Sequence, residues 1–366
     1  MDPISLSELP SKFDFGGTKE APIGLRPRGL WKSAVREGQQ LPFLGGPHVF
    51  SKLEIFLKIG QHLAIIEVDH GHATRWADTM GGGDQFRSAL SMLTKKRSPF
   101  VGLNTKKPNI MGIINVTPDS FYAGSRFDPV EAVDKAYRMI EDGADIIDIG
   151  GESTRPGADF VSIKEEKKRI LNVIKNLKKF KVSADTRKAE IMIDSIKNGA
   201  RIINDVSALE FDKNSINVIL KFKPNVILNH SKGTPQTMQK SPKYKNVVLD
   251  IYDFLENKIN LLVKLGLKKD KIIIDPGIGF GKNLNHNLKL MSNISIFHAL
   301  GCPIMLGSSR KSFIAKVMKT KVTEDRIGGT IASVLIGANQ GVQFFRVPDI
   351  AATKEALSIY KSLVNI

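Results

Sequence analysis

The chain of 366 residues carries 54 Lys+Arg against 37 Asp+Glu, a formal charge of +17, with 42% hydrophobic, 25% charged and 7% aromatic residues. That balance supports a large aliphatic core and excludes a disordered or collagen-like chain, and no apolar run reaches membrane-spanning length, since Ile55–Ile66 is broken by Lys58, Gln61 and His62. The single cysteine, Cys302, cannot form an internal disulfide and the opening Met-Asp-Pro-Ile-Ser lacks the features of a secretory signal, so a cytoplasmic location and no membrane are expected.

Residues 1–108 read as a small N-terminal α+β appendage of unassigned role. Glycine and proline are dense in Phe15-Gly16-Gly17 and Leu44-Gly45-Gly46-Pro47. Val49–Leu57 and His62–Val68 read as strands that can pair, Gln85–Leu93 as a short helix, and Lys95-Lys96-Arg97-Ser98-Pro99 as a linker. Asp69-His70-Gly71-His72 would set two imidazoles on one face of a strand, as a metal site does. No third ligand stands nearby in sequence, and the glycines at 81–83 favour a plain loop. His48, His62, His286 and His298 form no cluster and read as ordinary polar or helix-surface residues.

From Asn109 onward, short apolar β-branched runs alternate with amphipathic segments. The runs are Ile110–Val116, Asp145–Gly150, Lys181–Asp185, Arg201–Val206, Asn225–Asn229, Lys271–Asp275, Pro303–Gly307 and Val342–Val347. The first helix is predicted to follow Asp128 as N-cap and Pro129 at its first position, with Val130, Val133, Tyr137 and Ile140 as its stripe and Gly143 as its end. Asp349 caps the last helix, which carries Ile350, Leu357, Tyr360 and Val364 on one face. Eight such units imply parallel pairing and a closed (β/α)8 TIM barrel over 109–366, in preference to a doubly wound open sheet. Most of the excess lysine falls in stretches such as Lys164–Lys181 and Lys258–Lys271, which read as solvated helix faces. With no zinc-finger spacing, aromatic-rich basic sheet or basic tail, nucleic acid is not an expected partner.

A barrel places its chemistry at the carboxyl ends of the strands. Those ends carry Asn115, Asp148, Glu152, Asp185, Asn204, Asp205, His230, Asp275, Ser308, Lys311 and Arg346, a polar set that packing alone does not predict. Gly277-Ile278-Gly279-Phe280-Gly281-Lys282 fails as a dinucleotide fingerprint, because Lys282 stands where the third glycine is needed. It fails as a phosphate loop because Asn283 follows the lysine. With Asp275-Pro276 before it, the stretch reads instead as a carboxylate delivered to the mouth, beside glycines that let backbone approach a flat ligand. A carboxylate that accepts two parallel N–H bonds suits a guanidine-like edge such as a 2-amino-4-oxo pyrimidine. Lys311 and Arg346, at the ends of strands seven and eight, fit an anion such as a phosphorylated substrate. Reading Arg310 and Lys311 as solvated helix-start charges runs against the helix dipole. Asn115–Phe121 and Gly150–Gly157 read as lids, and Asn115 as a hard oxygen ligand for a Mg²⁺ that bridges phosphates.

Four stretches, Asn115–Phe121 (NVTPDSF), Asp148–Gly157 (DIGGESTRPG), Asp275–Lys282 (DPGIGFGK) and Ser309–Ser312 (SRKS), resemble the dihydropteroate synthase family in order and spacing. The likeness covers about residues 109–366; residues 1–108 look at most like the extensions of some bacterial members. The resemblance implies condensation of 6-hydroxymethyl-7,8-dihydropterin diphosphate with p-aminobenzoate to give 7,8-dihydropteroate and diphosphate, with Mg²⁺. It assigns the pterin edges to Asp185, Asn204, Asp275 and Lys311, the ring face and diphosphate side to Arg346, and the metal to Asn115. Thr154, Arg155, Pro156, Phe121, Phe280 and Ser312 would shape the p-aminobenzoate site. Sulfonamides would compete there, and a homodimer through barrel helices is the family habit. Two positions depart from the family pattern: Pro348 replaces the histidine of its usual Arg-x-His, and Ser231 stands where a larger side chain, often methionine, packs on the pterin. The rival readings are a pterin-dependent methyltransferase of the related barrel family, which should lack the Ser153–Gly157 loop and the SRKS stretch, and a non-enzymatic pterin-binding protein.

Overall fold

The computed structural model describes residues 24–28, 30–32, 40–46, 48–59, 62–79, 83–116, 129–153, 157–320 and 322–364. Near the N-terminus, β1 (Gly24–Arg28), β5 (Lys52–Ile59) and β6 (His62–Asp69) form one antiparallel sheet, and β2 (Trp31–Lys32), β3 (Leu41–Pro42) and β4 (His48–Phe50) form another. The β5–β6 hairpin, paired from Lys52↔Asp69 to Ile59↔His62, is the expected strand pair, and α2 (Gly83–Thr94) the expected helix. The His70–His72 stretch departs from expectation: it opens α1 (His70–Thr79) and is neither strand nor loop. His72 Nδ1 lies 3.9 Å from Asp69 Oδ2, and among the described residues no group of three His, Cys, Asp or Glu side chains is placed to hold a metal.

The barrel strands are β7 (Asn109–Asn115), β8 (Ile146–Gly150), β9 (Val182–Asp185), β10 (Ile202–Asp205), β11 (Asn225–Asn229), β12 (Ile272–Asp275), β13 (Met305–Leu306) and β14 (Phe344–Val347). Each pairs parallel with its chain neighbour, and β14 returns to β7 through Phe344↔Asn109. Between β12 and β13 the ring closes through one bridge, Ile274 to Ile304, where Ile274 N donates to Pro303 O at 3.0 Å. The seventh strand is shorter than expected because Pro303 has no N–H to donate. The Ile304 amide turns instead to the Gln343 side chain, at 2.8 Å.

The helices are α3 (Pro129–Glu141), α4 (Ile163–Asn176), α5 (Ala189–Lys197), α6 (Ser215–Phe222), α7 (Val247–Lys264), α8 (Leu284–Ser292), α9 (Ser312–Met318), α10 (Ile327–Asn339) and α11 (Ile350–Val364). Pro129 opens α3 as expected; Asp128 lies outside the described residues. Residues of β8, β10 and β12 are buried throughout, as parallel strands covered on both faces must be. Among the described residues no helix is long and apolar enough to cross a membrane.

Phe100 plugs the base of the barrel, packing with Met111, Ile146, Ile202, Ile227, Ile273, Met305 and Phe344. The stretch expected as a linker is therefore an anchor. Arg97 is buried, and its Nη2 donates to the carbonyls of Met92 and His298, each at 2.6 Å. His298 is fully buried, not at the surface, because the appendage covers the turn that carries it. Its Nε2 donates to Gln340 O at 2.9 Å and Phe43 meets its ring edge-on at 5.0 Å. Leu25, Phe50 and Phe86 belong to the same buried apolar cluster as Ile296 and Phe297, so appendage and barrel share one core.

Candidate active site

Parallel strands in register end at one level, which sets their last side chains around a common mouth. Asn204 pairs with Asp185, and Asn229 with Asp275. These four, with Val206, Phe280, Gly307, Lys311 and Arg346, line a single cavity. Asp185, Asn204, Asp275 and Lys311 are thereby brought together as the sequence predicts.

Arg346 organises one wall. Its Nε donates to Asp148 Oδ2 at 2.6 Å and its Nη2 to Asp185 Oδ2 at 2.7 Å, while Asn204 Nδ2 donates to the same Asp148 oxygen at 3.0 Å. Burial works against the guanidinium charge, but Asp148 and Asp185 outweigh it and hold the Arg346 pKa above its ordinary value. Asp185 is pushed up to about 7, chiefly by burial, with Arg346 opposing and Asp148 and Asp205 adding to the rise. On the other wall, Asp275 Oδ1 accepts from Gly277 N at 2.7 Å, and burial raises this carboxyl too, against the pull of Lys311. Lys311, with its Nζ bonded to Ile278 O and 4.2 Å from the centre of the Phe280 ring, is lowered to about 8 by burial. Asp148 Oδ1 and Asn229 Oδ1 are buried acceptors with no hydrogen-bond partner. Such atoms are costly unless a ligand's N–H groups reach them.

Two glycines keep the floor clear. A Cβ on Gly307 would stand 3.5 Å from Asp275 Oδ2 and 3.9 Å from Lys311 Nζ, and one on Gly150 would stand 3.5 Å from both Asn115 Oδ1 and Asp185 Oδ2. The glycines after Asp275 do something else than expected. Gly277 has φ +72°, and a Cβ there would lie 1.8 Å from His230 O, so it admits the neighbouring loop and not a ligand.

Other polar strand ends serve the scaffold. Asp205 caps its own turn through the Ser207 and Leu209 amides, at 2.7 and 3.1 Å. Glu152 binds Arg187 and Lys188 at 2.9 and 3.1 Å, and Ser308 meets Ser333 at 2.7 Å. His230 accepts from Lys282 Nζ at 2.9 Å, and Arg310 is held bidentate by Asp349. Packing thus explains more of these ends than the sequence suggests. Ser312 is exposed at the start of α9, next to Lys311, whereas Phe121, Thr154, Arg155 and Pro156 lie outside the described residues. Asp148 was assigned no role from the sequence, although a carboxylate inside the apolar strand Ile146–Gly150 is costly without a buried partner, and that was the available signal.

The donors present fit Mg²⁺ in one way only. Asn115, half-buried at the end of β7, offers a single neutral oxygen, and no three-carboxylate set accompanies it among the described residues. Such a site suits an ion that takes one protein oxygen and the rest from substrate phosphate and water.

The profile of the family described as pterin binding enzyme matches residues 111–348. The chain is 40% identical over 267 residues to the dihydropteroate synthase of Haemophilus influenzae, covering 72% of this chain and 96% of that protein. Against the Escherichia coli K12 dihydropteroate synthase it is 39% identical, covering 72% and 94%. Among solved structures, Yersinia pestis dihydropteroate synthase with a sulfonamide drug complex aligns with a TM-score of 0.70 at 39% identity, over 72% of this chain and 97% of that one. The Xanthomonas albilineans enzyme in complex with 7,8-dihydropteroate aligns at 0.65 and 34% identity, over 72% and 96%. Barrel, mouth and relatives agree, and the chain belongs to the dihydropteroate synthase family of pterin-binding enzymes.

Proposed function

We propose that the mouth condenses 6-hydroxymethyl-7,8-dihydropterin diphosphate with p-aminobenzoate, releasing diphosphate and 7,8-dihydropteroate. The observation that carries this reading is the convergence of Asp185, Asn204, Asp275 and Lys311 on one cavity. Asp275 already spends Oδ1 on Gly277 N; its Oδ2, beside Gly307, takes the amino and ring N–H edge of the pterin. Lys311 donates to the ring carbonyl, while Asn204 and Asp185 hold the opposite edge. Arg346, already spanning Asp148 and Asp185, lies along the ring on the diphosphate side.

Diphosphate departs with the electron pair of its C–O bond, and the ring shares the positive charge left on the exocyclic methylene. The carboxylates of Asp185 and Asp275 stabilise that cation in a low-dielectric pocket. The aniline nitrogen then forms the C–N bond and loses a proton to solvent, so no enzyme nucleophile is needed. Asn115 would hold Mg²⁺, whose charge offsets that of the departing diphosphate. Thr154, Arg155, Pro156, Phe121, Phe280 and Ser312 enclose p-aminobenzoate and exclude water, and sulfonamides compete for that place.

The test is diphosphate release with both substrates, with and without Mg²⁺. Release that depends on p-aminobenzoate is expected; tight pterin binding without turnover would show a binding protein instead. Asp275→Ala should lower kcat/KM by on the order of 100-fold or more while leaving the circular dichroism unchanged. Near-normal activity in that variant would overturn the assignment. We also assign a homodimer, supported by the exposed apolar residues Val317, Met318, Val322, Ile327 and Ile336 on and between α9 and α10.

A further inference from the structure

The segment between β11 and α7, residues 230–246, carries none of the four family-like stretches, yet it grips both sides of the mouth. Toward the loop after β8 it makes two bonds: Gly157 N donates to Pro235 O at 2.9 Å, and Gln236 Nε2 donates to Ala158 O at 2.8 Å. Toward the loop after β12 it makes two more, on either side of Phe280. Gln239 Nε2 donates to Gly279 O at 2.7 Å and Tyr244 OH to Gly281 O at 2.9 Å.

Both bodies that it joins are otherwise fixed. At the root of the β8 loop, Glu152 Oε1 accepts from Val161 N at 3.0 Å, which closes the loop at its base. The segment itself is braced by Met238 N donating to Thr234 O at 2.7 Å and Lys232 Nζ donating to Lys243 O at 2.6 Å. Gln236 is exposed and belongs to no buried cluster, so its bond adds little to the core. What the bond does is choose where Ala158 stands, and residues 154–156 run directly into Gly157.

We propose that residues 230–246 are a strap that holds the p-aminobenzoate loop in register with the heterocycle cavity, with Gln236 as its positioning residue. The inference rests on the reading that Thr154, Arg155 and Pro156 shape the p-aminobenzoate site. Because Gln239 and Tyr244 still hold the Phe280 loop when Gln236 is altered, the effect falls on one substrate alone.

Gln236→Glu keeps the size of the side chain but removes the donor. Its KM for p-aminobenzoate should rise about five-fold, the worth of one hydrogen bond, with KM for the pterin diphosphate, kcat and Tm unchanged. Gln236→Lys, which retains a donor, should restore the value. Hydrogen exchange at the Gly157 amide, read without substrates, should quicken in Gln236→Glu. An unchanged KM with unchanged Gly157 exchange would overturn the proposal, as would a parallel change in both KM values, kcat and Tm. If the unaltered protein shows no p-aminobenzoate-dependent turnover, the reaction assignment fails, and the strap stands or falls on Gly157 exchange.

Discussion

His298 ties stability to pH through a single side chain. Burial, and then the neighbouring Arg97 charge, push its pKa from 6.5 down to about 3, so the folded protein keeps it neutral. Between those values the unfolded chain binds a proton that the folded chain does not. Stability is therefore complete above the unfolded value of 6.5 and lost as pH falls toward 3. His230, lowered to about 2 by burial and Lys282, acts in the same direction. Urea midpoints should fall on acidification from pH 7 to pH 5, by up to about 1.4 kcal/mol per pH unit for each histidine. His298→Gln should flatten that slope; equal slopes in both proteins would contradict it. Neither His298 nor Arg97 was legible in the sequence, because the partners stand 201 residues apart. Asp185, Asn204, Asp275, Lys311 and Arg346 were legible, since each is a polar side chain at or just past the end of an apolar strand.

At the scale of elements, alternating strands and helices could be read because parallel strands buried on both faces leave a nearly continuous apolar signature. Their lengths were less legible: β13 keeps two residues where five were expected, because the ladder depends on partners that a single segment does not reveal. The plug at the base was hidden for a similar reason, as Phe100 sits among linker-like residues and only the closed ring gives it a pocket. It is fully buried and meets the Phe344 ring edge-on at 5.5 Å. Phe100→Ala should cost about 3–5 kcal/mol of stability. Turnover below the melting transition should persist, because base and mouth lie at opposite ends of the strands. Denaturant unfolding beside a turnover assay checks both halves.

For the whole molecule, the shared core means that the appendage is part of what keeps the barrel folded, a role that composition could not disclose. The proposed pairing of two copies is also a property at this scale. Light scattering should give about twice the 40.4 kDa chain mass, and Ile336→Glu, at an exposed position on α10, should return a monomer. A single-chain mass for the unaltered protein would refute the pairing.

The ring has one weak stitch, the lone rung from Ile274 to Ile304. Asp275 stands on one lip of that seam, with Gly307 and Lys311 on the other. A guest held by both lips would act as a clasp across the gap, so that filling the mouth also tightens the cylinder around it. Substrate capture and wall integrity then become one equilibrium, and an empty mouth is the condition in which the wall can part.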